Sequence, residues 1–136
     1  MRPDIPESLR RFVAERAGNR CEYCLLPQWT TWHKHEPDHI VATQHGGKTE
    51  ANNLALACKR CNRNKGPNVG SFDPLTGQLV PLFNPRLHKW SDHFLLEGAT
   101  LRALTAEARV TIKLLCLNDE DHVTERRRLL DAGLYA

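Results

Sequence analysis

Two C-x-x-C pairs, Cys21–Cys24 (CEYC) and Cys58–Cys61 (CKRC), constrain this chain more than anything else in it. Cysteines at this spacing bring two sulfurs to one end of a turn. Two such knuckles complete a tetrahedral four-sulfur site of the kind zinc takes. Residues 25–57 separate the pairs, whereas about 15–20 residues separate them in the usual pattern. Lengthening a loop costs only about 0.6 kcal/mol per doubling, so the spacing marks an insertion with a purpose of its own. Two disulfides are the alternative, but they belong to oxidising compartments. The opening residues MRPDIPESLRRF lack the apolar stretch of a secretory leader. A redox C-x-x-C would account for one pair and leave the other without a role. The expectation is structural Zn²⁺ on Cys21, Cys24, Cys58 and Cys61 in a cytoplasmic protein. Cys116, inside the apolar run TIKLLCL, reads as a small buried side chain.

Composition sets outer bounds. A chain of 136 residues, 40% hydrophobic and 26% charged, suits one domain over 1–136 and excludes a disordered or collagen-like polymer. No apolar run approaches the roughly 20 residues of a membrane-spanning helix, so no membrane partner is expected. The formal charge of +3 permits a polyanionic partner if the excess is gathered on one face.

Residues 36–66, from within the insertion through the second knuckle, read EPDHIVATQHGGKTEANNLALACKRCNRNKG. Ile40–Ala42 is expected as a short strand entered from Pro37. Residues 44–48 form a loop turned by two glycines. Leu54–Leu56 is a second strand, and Cys61–Lys65 a short helix ended by Gly66 and Pro67. Strand, loop, strand and helix make a ββα unit, too small to hold itself together without the metal knuckle at its rim. Around it, residues 6–17 pattern as an amphipathic helix with Leu9, Phe12 and Val13 on one face, stopped at Gly18. Phe72 and Leu79-Val80 flank the turn signal Asp73–Gly77 and predict a hairpin. Residues 106–117 predict a helix, and Asn118 reads as the N-cap of a last helix running to about Asp131. The fold class is therefore α+β, with a ββα core and knuckle in residues 9–66 and a hairpin and helical extension in 67–136.

The ordered elements C-x-x-C, D-H-I, G-G, N-N-L and C-x-x-C-N-x-x-K together resemble the HNH endonuclease family. The resemblance covers residues 9–66 and implies a ββα-metal, or His-Me, finger that hydrolyses DNA phosphodiester bonds. It implies that His39 is the general base activating water, and that Asn53 pins the loop and helps orient that base. It implies that Asn62, with Asp38, holds the catalytic divalent metal. The chemistry of these residue types agrees. An imidazole, ordinarily titrating near ~6.5, can accept a proton from water at neutral pH. One carboxylate and one amide oxygen form a hard, sparse site suited to Mg²⁺ or Mn²⁺. There is one geometric demand. Neighbours in a regular strand face opposite sides, so the strand must end, bulge or twist at Asp38-His39.

Lys59, Arg60, Arg63 and Lys65 cluster beside the second knuckle and could follow a nucleic-acid backbone without reading bases. A solvated helix face is the plainer alternative. The run 126–128, interleaved with Glu120, Asp121 and Glu125, reads as such a face, and His33 and His35 read as surface residues. The rival function is a zinc-stabilised nucleic-acid-binding module without catalysis. A zinc-stabilised protein-interaction domain would not need Asp38 and His39 together. The sequence does not separate DNA from RNA as the partner.

Overall fold

The run Leu54–Ala57, buried at all four positions, sets how the first half folds. The computed structural model describes residues 4–135. β1 (Glu36–His39) and β2 (Leu54–Ala57) form an antiparallel pair with Asp38 opposite Ala55 and His39 opposite Leu54. Side chains alternate along a strand. Leu54 and Leu56 therefore point one way, into a cluster with Val13 and with Ile5, Leu9, Ala14 and Ala17. Most of these come from α1 (Glu7–Arg16), which ends where Gly18 takes φ +62°. Ala55 and Ala57 point the other way and leave room for α2 (Lys59–Lys65), which packs on both strands.

β1 begins earlier than the sequence suggests: the strand is 36–39, and Ile40–Ala42 leave it toward a short 3₁₀ turn at Thr43–His45. Pro37 does not obstruct the pairing. The Ile40 N–H bonds the Asn53 carbonyl at 2.9 Å, so inward-bonding positions on β1 fall at even numbers and Pro37 occupies an outward one. Phe12 departs from the expected face. It is 49% exposed, with the Arg16 guanidinium 5.3 Å above its ring, because the stripe runs through Leu9, Val13 and Ala17, four residues apart.

One compact unit closes at Val69 and a second begins at Gly70. The second starts with the hairpin β3 (Gly70–Phe72) and β4 (Leu79–Pro81), which pairs Phe72 with Leu79 as expected. Asp73 organises its turn. It accepts from the Leu75 N–H and the Thr76 hydroxyl, and the Arg109 guanidinium donates to both carboxylate oxygens at 2.9 and 2.8 Å. That fork holds the Asp73 carboxyl far below its ordinary range. After α3 (Trp90–His93) comes a second hairpin, β5 (Phe94–Glu97) and β6 (Thr100–Ala103), then α4 (Ala106–Leu114) and α5 (Glu120–Asp131).

Three expectations fail in this half. Cys116 is exposed: α4 stops at Leu114, Cys116 takes φ +55°, and fully buried Leu115 and Leu117 take the inside. Asn118 is not the cap of α5. Its amide clamps both backbone groups of Leu101, and Asp119 caps the helix instead, accepting from the His122 N–H at 2.9 Å. Arg126 is no part of a solvated face, being 2% exposed and donating to the Ala99 and Leu117 carbonyls at 2.8 Å each. Two buried polar residues, His122 and Arg126, share the inner stripe of α5 with Leu129. The architecture is α+β with small antiparallel sheets, and among the described residues no helix is long and apolar enough to cross a membrane.

Candidate metal centre and nucleic-acid interface

The four cysteines of the two pairs converge. Their sulfurs all lie within 4.8 Å of one another and all four side chains are buried, with Cys24 and Cys58 sulfurs 3.7 Å apart. A tetrahedral zinc with Zn–S bonds of about 2.3 Å places its sulfurs about 3.8 Å apart, so the cluster has the dimensions of such a site. Each knuckle bends back so that a backbone N–H faces a sulfur, Cys24 N to Cys21 Sγ and Cys61 N to Cys58 Sγ. The second contact is also the N-cap of α2. Shared protons between thiols, first with Cys21, hold the Cys24 and Cys61 thiols well above their ordinary pKa. Four buried sulfurs gathered in one place suit a cation that takes the place of thiol protons.

The first knuckle is stitched to β2. Glu22 accepts the Leu56 N–H on its carboxylate at 2.7 Å and donates its own N–H to the Leu56 carbonyl at 2.8 Å. Tyr23 is buried, at 1% exposure. Burial, and after it the Asp38 carboxylate, push its phenol well above the ordinary value of 10.0.

Asp38 shares its face of the sheet with Ala55 and so meets α2, where Lys65 Nζ lies 3.0 Å from Asp38 Oδ2. The same ammonium donates to the His39 carbonyl at 2.9 Å. Lys65 is 1% exposed. It therefore braces the strand from below and is not on the surface patch where the sequence suggested it; Lys59 and Arg63 are exposed and Arg60 is half-buried. β1 ends at His39, but both Asp38 and His39 are still paired in regular register, opposite Ala55 and Leu54, so no bulge or break separates them and their side chains start from opposite faces of the sheet. The His39 Nε2 pairs with the Thr49 hydroxyl at 2.9 Å.

Asn53 clamps the loop between the strands. Its Oδ1 accepts the Val41 N–H at 2.9 Å, and its Nδ2 donates to the carbonyls of Val41 and Lys48 at 3.0 and 2.8 Å. Gly47 lies against the same place, since a Cβ there would collide with the Val41 carbonyl. Asn62 is 8% exposed and opens into a cleft of about 340 Å³ that it lines with His33, Lys34, Glu36, Lys59 and Arg63. Asp38 and His39 are not among the residues lining that cleft. His45 is exposed in its loop.

His35 is not a surface residue: it is 4% exposed and its Nε2 pairs with the Leu26 carbonyl at 2.8 Å. Sequence reasoning also missed Tyr23 and Thr49, and it gave Lys65 the wrong surroundings.

Residues 21–68, about a third of the chain, match the family model described as HNH endonuclease. No curated protein and no solved structure matches the chain. The match spans both cysteine pairs, Asp38, His39, Asn53 and Asn62, and it supports a nuclease-type or nucleic-acid-binding function.

Proposed function

We propose that the HNH-family segment at residues 21–68 makes this protein a metal-dependent endonuclease that hydrolyses DNA phosphodiester bonds. In this reading His39 takes a proton from a water molecule as its oxygen attacks phosphorus, and the bond from phosphorus to the leaving oxygen breaks. Thr49, against Nε2, sets the orientation of the imidazole, and the Asn53 clamp keeps the Thr49 loop in place. Asp38 and Asn62 would hold the divalent ion. A carboxylate and a side-chain amide oxygen are hard donors of the kind Mg²⁺ or Mn²⁺ takes. Asn62 lines an open cleft, while Asp38 lies outside that lining and is paired with Lys65, whose contact the ion would have to share or displace. When bound, such an ion supplies charge stabilisation at the phosphate. Lys59, Arg60 and Arg63 lie on the same helix as Asn62 and suit contact with the strand's phosphates.

The observation that carries this reading is the bracing of Asp38 and His39 by a single buried ammonium, beside an independent clamp on the loop facing His39. A module that only binds nucleic acid has no use for an immobilised Asp-His pair. Supercoiled plasmid incubated with the zinc-loaded protein and Mg²⁺ or Mn²⁺ should be nicked or linearised, and not when the divalent ion is withheld. Binding without cutting under every divalent ion would favour the zinc-stabilised binding module instead.

A further inference from the structure

The loop joining the first cysteine pair to β1 is held in shape by hydrogen bonds, yet its largest side chains cover nothing. Gln28 N–H donates to the Asn19 carbonyl at 2.9 Å, and Gln28 Oε1 accepts the His35 N–H at 3.1 Å, which closes the two ends of the loop on each other. Thr30 and Thr31 hydroxyls donate to the carbonyls of Pro27 and Gln28, at 2.8 and 3.0 Å. The buried His35 ring pins the exit to Leu26. On this braced loop Trp29 is 63% exposed and Trp32 is 102% exposed. Single exposed apolar residues are ordinary. Two indoles on one ordered loop are not, because the loop's ordering brings them no burial.

Their surroundings select the partner. His33, next to Trp32, has its Nε2 3.4 Å from Lys59 Nζ. Lys34, Lys59 and Arg63 line the cleft into which Asn62 opens, and its one acid, Glu36, is matched by Arg10 at 2.7 Å. The cleft thus carries unbalanced positive charge beside an exposed indole. A purely apolar partner would leave those cations without counter-charge. A nucleic-acid strand supplies phosphate for the cations and a flat ring for the indole.

We propose that Trp32 is a base-stacking platform, taking a nucleobase that flanks the phosphate held at Lys59 and Arg63. The proposal rests on the nuclease reading of residues 21–68 and names which part of the strand is gripped. A preformed loop makes the stacking efficient, since little backbone freedom of the loop remains to be lost.

The test uses the zinc-loaded full chain carrying Trp29→Phe and Trp90→Phe, so that Trp32 is the single indole. It is titrated with a short single-stranded DNA, without added divalent ion. The expected result is saturable quenching of indole emission. Independently of those substitutions, Trp32→Ala should weaken DNA affinity about 5-fold or more, as loss of one stacked base does, with Trp32→Phe retaining most of it and zinc content unchanged in both. An RNA of the same sequence, run in parallel, identifies which sugar the platform accepts. DNA binding and cleavage that persist with no quenching, and with Trp32→Ala at wild-type affinity, would overturn the platform and leave the nuclease reading standing. A wild-type protein that neither binds nor cuts nucleic acid would overturn both. A Trp32→Ala effect confined to self-association would assign the indole to a second copy of the chain and overturn the platform alone.

Discussion

The Lys65 ammonium lies 3.0 Å from the Asp38 carboxylate and 2.9 Å from the His39 carbonyl, so one buried cation on α2 holds two consecutive residues of β1. Both partners of the ion pair are almost wholly inaccessible, at 2% and 6% side-chain exposure. Removing one member of such a pair strands the other's charge, which costs about 3–5 kcal/mol. Lys65→Met should therefore destabilise the first unit by that order in denaturant unfolding. The double change Lys65→Met with Asp38→Leu should be less destabilised than Lys65→Met alone. A Lys65→Met protein within about 1 kcal/mol of wild type would mean that the ion pair does little to hold α2 on the sheet.

The cysteine cluster should contain one Zn²⁺ per chain. Metal held by residues that are scattered in the unfolded chain contributes its binding energy to folding. Cys58→Ser, which removes a sulfur ligand but leaves an oxygen able to cap α2, is expected to lose zinc and cooperative unfolding together. Elemental analysis of the purified protein decides the matter; absence of zinc with thiols oxidised in pairs would refute the site.

His39→Ala should lower the rate of plasmid nicking by about 10²–10⁴-fold, the usual worth of a positioned general base. Zinc content and DNA affinity should stay near wild type. Asp38→Ala and Asn62→Ala should respond differently, recovering part of their activity at high Mg²⁺, because they weaken retention of the ion rather than the proton transfer. A few-fold effect in His39→Ala would remove it from the role of base.

Asn53→Ala deletes three hydrogen bonds to the 41–48 loop. The expected cost is about 1–3 kcal/mol, with faster proteolysis in residues 41–49 and reduced nicking. Gly47→Ala should have the same signature by a different route, since its new methyl meets the Val41 carbonyl. Unchanged protease patterns in both variants would show that the loop does not depend on this clamp.

In the second unit, Asp73 and Arg109 give a pH-dependent contribution. The fork from Arg109 lowers the Asp73 pKa below its ordinary 3.8, so the folded protein binds that proton more weakly than the unfolded chain does. The stabilisation is complete above the unfolded pKa and is lost as pH falls below about 4. Asp73→Asn should lower the melting temperature at neutral pH, and the gap to wild type should narrow as the pH is taken below that value. A gap that stays constant with pH would mean the carboxylate's charge is not what matters.

What could be read from the sequence was governed by whether the signal was local. The cysteine spacing, the turn at Asp73–Gly77 and the glycine stops at Gly18 and Gly66 act over a few residues, and the elements they mark are in place. Asn118 and Asp119 were interchangeable as caps by residue type alone, and only the engagement of Asn118 with Leu101, seventeen positions away, separates them. Arg126 and Lys65 defeat composition for a related reason. Their charges are satisfied by carbonyls and a carboxylate supplied from other elements, so a pattern of apolar residues cannot register them as interior. Cys116 failed in the opposite sense: an apolar run was broken by one left-handed residue, which turned the middle of the run outward.

The cysteine cluster also has a topological consequence. A metal bridging the four sulfurs closes the chain into a ring between Cys24 and Cys58, and Asp38, His39, Thr49 and Asn53 all lie on that ring. A single cut in the 41–49 segment would open the ring without releasing either piece, because each end keeps two cysteines on the shared ion. The nicked protein would stay one species while the ion remained, since its bonds to both cysteine pairs would add to the β1–β2 pairing in joining the piece bearing His39 to the piece that carries its clamp.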